Sequence, residues 1–201
     1  MKLDPFYLIV DRASWLPRLL PQGVKLVQLR AKEMEPDQLR REILLAKESC
    51  ARYGAQLVVN DYWQLAIELG CDFVHLGQED LADADVGAIR AAGMRLGIST
   101  HDDAELDTAL AVRPDYVALG PVYPTILKQM RWAPQGLERV SEWKARVGKV
   151  PLVGIGGLTI ARAQGVLSAG ADCVAVVTDV LLNPNPEARA REWVLATRER
   201  A

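Results

Sequence analysis

Short runs rich in Val, Ile and Leu recur along the 201 residues, and helix-like amphipathic stretches separate them. The runs predict strands over 6–10, 25–29, 56–59, 72–76, 95–98, 115–119, 151–155 and 172–177. Most are apolar on both faces, as parallel strands covered on both sides must be. Helical spacing falls over 15–20, 35–53, 64–69, 83–92, 102–112, 137–147 and 159–169, with a last stretch at 187–198. Gly54, Gly70, Gly93 and Gly170 each stand where a helix has to stop before the next strand, the usual place for a left-handed residue.

Eight alternating units without a linker or low-complexity tract predict an α/β fold. The expectation is one small (β/α)8 TIM barrel spanning residues 1–201, and an open doubly wound sheet is the competing arrangement. Half of the residues are hydrophobic, enough for a sizeable core. The formal charge is 24 − 26 = −2 with no basic stripe, which leaves nucleic acid and anionic membranes no electrostatic footprint. No apolar stretch approaches the ~20 residues of a membrane span. The first residues lack a signal-peptide pattern, and Cys50, Cys71 and Cys173 are scattered without metal-ligand spacing. They read as buried free thiols, and the protein as cytoplasmic. A homo-oligomer stays open.

In either arrangement ligands gather at the C-terminal ends of the strands. The second strand ends in Gln28-Leu29-Arg30-Ala31-Lys32, which alternation places with Gln28, Arg30 and Lys32 on one face. Asn60-Asp61 ends the third strand, and Gly77-Gln78-Glu79-Asp80 forms the loop after the fourth. Adjacent strands would bring Asp61 and Asp80 together, and two carboxylates plus phosphate oxygens suit Mg²⁺. The competing reading makes Asp61 a helix cap and Asp80 a solvated turn residue. Ser99 or Thr100 is a candidate cap for the helix over 102–112, and His75 and His101 carry no partner spacing and read as structural or as supports behind the residues that touch ligand. The longest connection, Gly120 to Gly136, carries Lys128 and has the length of a lid. Gly156-Gly157 before a helix, beside Val177-Thr178-Asp179, suggests a backbone phosphate cup. A dinucleotide fingerprint fails, because position 159 is Thr and Asp172 starts its strand.

No nucleophile beside a base stands out. That favours a reaction in which leaving-group departure is hard and charge stabilisation does most of the work.

Taken in order, these blocks resemble the thiamine-phosphate synthase family: Val27 to Lys32, Asn60-Asp61, Val74 to Asp80, Gly97 to His101, Gly120 to Thr125 with Lys128, and Ile155-Gly156-Gly157. The resemblance runs from residue 7 to about residue 180 and implies a transferase of the (β/α)8 class. It implies that Gln28, Arg30, Lys32, Asn60, Ser99 and Lys128 hold hydroxymethylpyrimidine diphosphate, with Arg30, Lys32, Lys128 and Ser99 acting on the departing group. Asp61 and Asp80 match Mg²⁺ ligands, and Thr125, Gly157, Val177 and Thr178 match positions around the thiazole phosphate. The family pattern Pro-Thr-x-Thr-Lys reads here Pro124-Thr125-Ile126-Leu127-Lys128. Leu127 thus removes a hydroxyl, and a lost bond to a charged group costs ~1.5–3 kcal/mol. A thiazole tautomerase on the same barrel shares the glycine cup, but this chain keeps the pyrimidine and metal positions and has Pro121 where that enzyme's histidine is expected. A non-catalytic thiazole-phosphate-binding relative is the third reading.

Overall fold

The structure, a computed structural model, describes residues 2–125 and 132–198. Eight parallel strands close into a barrel in sequence order: β1 (Phe6–Val10), β2 (Leu26–Leu29), β3 (Gln56–Asn60), β4 (Phe73–Leu76), β5 (Arg95–Thr100), β6 (Tyr116–Leu119), β7 (Leu152–Ile155) and β8 (Cys173–Val176). Closure is direct, since β1 pairs with β8 through Tyr7 and Ala175 and with β2 through Ile9 and Gln28. The open sheet is thereby excluded.

Around the strands lie α1 (Leu16–Leu19), α2 (Pro36–Tyr53), α3 (Trp63–Glu68), α4 (Gln78–Asp83), α5 (Val86–Ala91), α6 (Asp103–Ala111), α7 (Gly136–Val147), α8 (Ile160–Ser168), α9 (Thr178–Leu181) and α10 (Pro186–Arg198). In α2 the buried residues Leu39, Ile43, Ala46 and Cys50 recur at three and four, the stripe a helix needs to cover a sheet. Pro36 opens it and Gly54 ends it at φ +58°. The single helix expected over 83–92 is two: α4 stops after Asp83, and Asp85 accepts the Ala88 N–H to begin α5. The expected helix at 15–20 is the short α1 between two 3₁₀ turns.

Two apolar layers result. One lies between strands and helices and includes Val27, Leu29 and Ala31, as alternation requires. The other fills the barrel with Tyr7, Ile9, Leu26, Val58, Phe73, Tyr116, Ala118, Val153, Cys173 and Ala175. The three cysteines are buried and free. Among the described residues no helix is long and apolar enough to cross a membrane.

Candidate active site

Toward the C-terminal ends of the strands the inward positions change character. On β2, Leu26 gives way to Gln28; on β3, Val58 to Asn60; on β4, Phe73 to His75; on β5, Gly97 to Ser99. On β6 to β8 the positions stay apolar or small: Ala118, Ile155, Ala175 and Val177. They line a cavity of about 630 Å³ that is polar on one side and apolar on the other. A second space of about 40 Å³ adjoins it, sharing Thr125, Ile155, Gly156, Ala175 and Val177 and adding Gly157 and Thr178.

The structure thus brings together Gln28, Arg30, Lys32, Asn60, Asp61, Asp80, Ser99 and Thr125 around the larger cavity. Thr125, Gly157, Val177 and Thr178 gather at the smaller one. Lys128 and Leu127 lie outside the described residues. Gln28 is not in an open mouth: it is 3% exposed and donates to the Tyr7 hydroxyl at 2.9 Å. Ser99 and Thr100 do not cap α6. Asp102 does, accepting the Glu105 N–H at 2.9 Å, while Thr100 turns outward to bond Ala118 O and receive the Trp143 indole N–H.

Asp61 is no helix cap either. Its backbone is left-handed at φ +66°, its N–H donates to His75 O, and its carboxylate receives Lys32 Nζ at 2.8 Å. Asp tolerates that conformation better than most residues, and its use here aims the carboxylate over the mouth. Asp80 stands in the first turn of α4, not in a loop. Partial burial first, and then the Asp61 carboxylate beside it, raise the Asp80 pKa, while Lys32 opposes the rise. Among the described residues no group of three His, Cys, Asp or Glu has the arrangement of a metal cage. Two crowded carboxylates short of positive charge fit a divalent ion that takes its other ligands from substrate and water.

The glycine cup is set by contacts that leave no room for side chains. Gly156 and Gly157 have φ of +99° and +63°; a Cβ on the first would strike Pro121, and on the second the Pro124 carbonyl. Ile155 O and Gly156 O accept from Val122 N and Tyr123 N, and Gly157 O accepts from Arg162. In a trans peptide the N–H points opposite to the carbonyl. The Gly157 and Leu158 N–H groups therefore turn away from those partners, and both residues line the smaller cavity.

Sequence reasoning missed several residues that line the cavity. Tyr7 and Tyr116 touch at 3.0 Å between hydroxyls and read in sequence as plain core aromatics. Gln78 donates to Ser99 O at 2.6 Å. Trp132 stacks on His101, whose Nδ1 lies 2.7 Å from Glu105. A tryptophan in a long loop at the ligand end was the one signal available for that contact. His75 lines the cavity too, and burial lowers its pKa to about 4, with Asp61 opposing and Arg30 assisting, so the ring is neutral near pH 7.

Comparisons with known proteins agree with this geometry. The family model described as thiamine monophosphate synthase matches residues 6–180. A thiamine-phosphate synthase of Rhizobium etli is 64% identical over 197 residues, covering 98% of this chain and 97% of the relative. The thiamine-phosphate synthase of Escherichia coli strain K12 is 47% identical over 191 residues, covering 95% and 87%. The solved thiamine phosphate pyrophosphorylase from Pyrococcus furiosus superposes with a TM-score of 0.87 at 25% identity, covering 98% of this chain and 96% of that one. The fold, the composition of its mouth and these likenesses converge: the chain belongs to the thiamine monophosphate synthase family.

Proposed function

We propose that the barrel is a thiamine-phosphate synthase, condensing hydroxymethylpyrimidine diphosphate with thiazole phosphate to give thiamine phosphate and pyrophosphate. The observation that carries this reading is the division of one cavity into a charged side, with Arg30, Lys32, Asp61 and Asp80, and a small-residue side ending in the Gly156-Gly157 cup. A diphosphate suits the first and a monophosphate the second.

Asp61 and Asp80 would hold Mg²⁺, which when bound supplies positive charge to the diphosphate oxygens. Arg30 and Lys32 neutralise the leaving group, and the family resemblance adds Lys128, which lies outside the described residues. Lys32 has to release Asp61 to do so, and its half-exposed side chain, open to water and to the incoming phosphate oxygens, lowers the cost of that exchange. Asn60 and Gln28 position the pyrimidine, and Ser99 donates to the diphosphate. The methylene C–O bond breaks, pyrophosphate keeps the electron pair, and the aminopyrimidine delocalises the resulting cation. The thiazole nitrogen then forms the C–N bond with its own lone pair, so no protein base is required. Thr125, Gly157, Val177 and Thr178 seat the thiazole phosphate so that this nitrogen faces the methylene carbon. The barrel works as a single domain of residues 1–201 in the cytoplasm on small-molecule substrates.

The test is to incubate the protein with both substrates and Mg²⁺ and follow thiamine phosphate by fluorescence after oxidation to a thiochrome. Product that requires both substrates and Mg²⁺ supports the reading. Absence of product from folded protein at high concentrations of both overturns it and returns the tautomerase or the non-catalytic thiazole-phosphate-binding relative.

A further inference from the structure

Beneath the mouth runs a chain of hydrogen bonds that joins Gln28 to Ser99 through three buried residues to which this chemistry gives no role. Gln28 Nε2 donates to Tyr7 Oη at 2.9 Å, and Tyr7 Oη lies 3.0 Å from Tyr116 Oη. Tyr116 Oη is 2.7 Å from His75 Nδ1, and His75 Nε2 is 2.8 Å from Ser99 Oγ. All but the last residue are buried, and Ser99 borders the cavity.

The proton count ties the bonds together, so that the direction of one fixes the direction of all. A phenol has one proton to donate, and a neutral imidazole one N–H. With the Gln28 amide N–H given to Tyr7, the Tyr7 proton goes to Tyr116, and the Tyr116 proton goes to His75 Nδ1. Nδ1 is then an acceptor, so the ring proton sits on Nε2 and is donated to Ser99 Oγ. Ser99 receives at His75, and its own proton is left for the cavity. With the Gln28 amide turned round every bond reverses, and Ser99 spends its proton on His75 and offers the cavity lone pairs only. Arg30, Lys32 and Asn60 line the same wall, and a diphosphate is an acceptor throughout, so the outward direction is the one that complements it.

The ring at the centre of the chain is firmly held. Tyr116 stacks on His75 with centroids 5.5 Å apart and meets Tyr7 edge-on. Gly97 is its partner across β5, and a Cβ there would collide with the Tyr116 ring.

Resting on the functional reading above, we infer that Gln28, Tyr7, Tyr116 and His75 are positioning residues forming a one-way hydrogen-bond relay, which holds His75 as the Nε2–H tautomer and turns the Ser99 proton toward the departing diphosphate. Tyr116 touches no substrate in this scheme and acts only through His75 and Ser99.

Two measurements test it. The chain has two histidines, so the protein labelled with ¹⁵N-histidine shows two imidazoles, and His101→Asn assigns them. The relay requires the His75 spectrum of an Nε2–H tautomer in wild type; an Nδ1–H tautomer overturns it. In the synthase assay, Ser99→Ala and Tyr116→Phe are each expected to lower kcat by about tenfold to a hundredfold. The double variant should be no slower than Ser99→Ala within about twofold, because Tyr116 has nothing left to orient. Fully multiplicative losses overturn the coupling. Should wild type make no thiamine phosphate, the functional reading fails, and the tautomer measurement still decides the relay.

Discussion

At the N-terminal ends of the strands, Asp72, Asp115 and Asp172 each stand one residue before a strand, and each is answered. Asp115 accepts the Leu96 N–H at 2.8 Å and Arg90 at 2.5 Å, and Asp172 accepts the Leu152 N–H at 2.8 Å and Lys144 at 2.7 Å. Asp72 binds Arg95 and Gln56. At the C-terminal ends the same residue type is used differently. Asp61 stands one residue after its strand on a left-handed backbone, answered by an exposed lysine, and Asp80 faces another carboxylate. One end pairs its charges with neighbouring strands and helices; the other holds them in mutual conflict that a cation and an anionic substrate would relieve. Charge crowding of that kind marks a site, whereas charge pairing marks a scaffold.

Breaking the ligand end should abolish chemistry and spare the fold. Asp61→Asn keeps a residue that tolerates φ +66° and removes the charge. We predict a fall of about a thousandfold in kcat at saturating Mg²⁺. The melting temperature should hardly move, because losing the pair with the half-exposed Lys32 is offset by relief of the repulsion with Asp80. The opposite end should behave in reverse. Asp115→Ala leaves the Leu96 N–H and Arg90 without their acceptor, and urea unfolding should show a loss of about 2 kcal/mol with kcat/KM unchanged.

The smallest effect sharpens the comparison by its sign. The Asp80 pKa is raised by burial and by Asp61, so in the metal-free protein its negative charge opposes folding. A raised folded pKa contributes stability that is full below the unfolded pKa and is lost as pH rises through the folded one. Asp80→Asn should therefore raise the metal-free melting temperature slightly near pH 7, while lowering activity. It should also flatten stability across the acid range in which Asp80 ionises. A fall in melting temperature would mean that Asp80 is a structural partner like Asp115.

Much of the scaffold was legible in the sequence. The first strand falls on the expected residues, and the glycine helix stops have φ between +58° and +112°. Some of the errors share a cause. Two strands run further than their apolar runs, β3 to Asn60 and β5 to Thr100, because a barrel interior that becomes polar no longer follows the hydrophobic pattern. Of Gly77-Gln78-Glu79-Asp80, read as the loop after the fourth strand, Gly77 is the helix N-cap and the other three open α4, where their polar side chains line the cavity. Carboxylates and cations on adjacent strand ends were recognisable by spacing and by family resemblance. The contact between Tyr7 and Tyr116, 109 residues apart, was not, because only barrel closure creates it.

The most direct test of this division is amide hydrogen exchange with and without pyrimidine diphosphate and Mg²⁺. The account predicts protection at residues 60–62, 77–80 and 99–101, with no change around Asp72, Asp115 and Asp172. Protection concentrated at those N-terminal strand ends, or none at the C-terminal ends under saturating ligand, would contradict it.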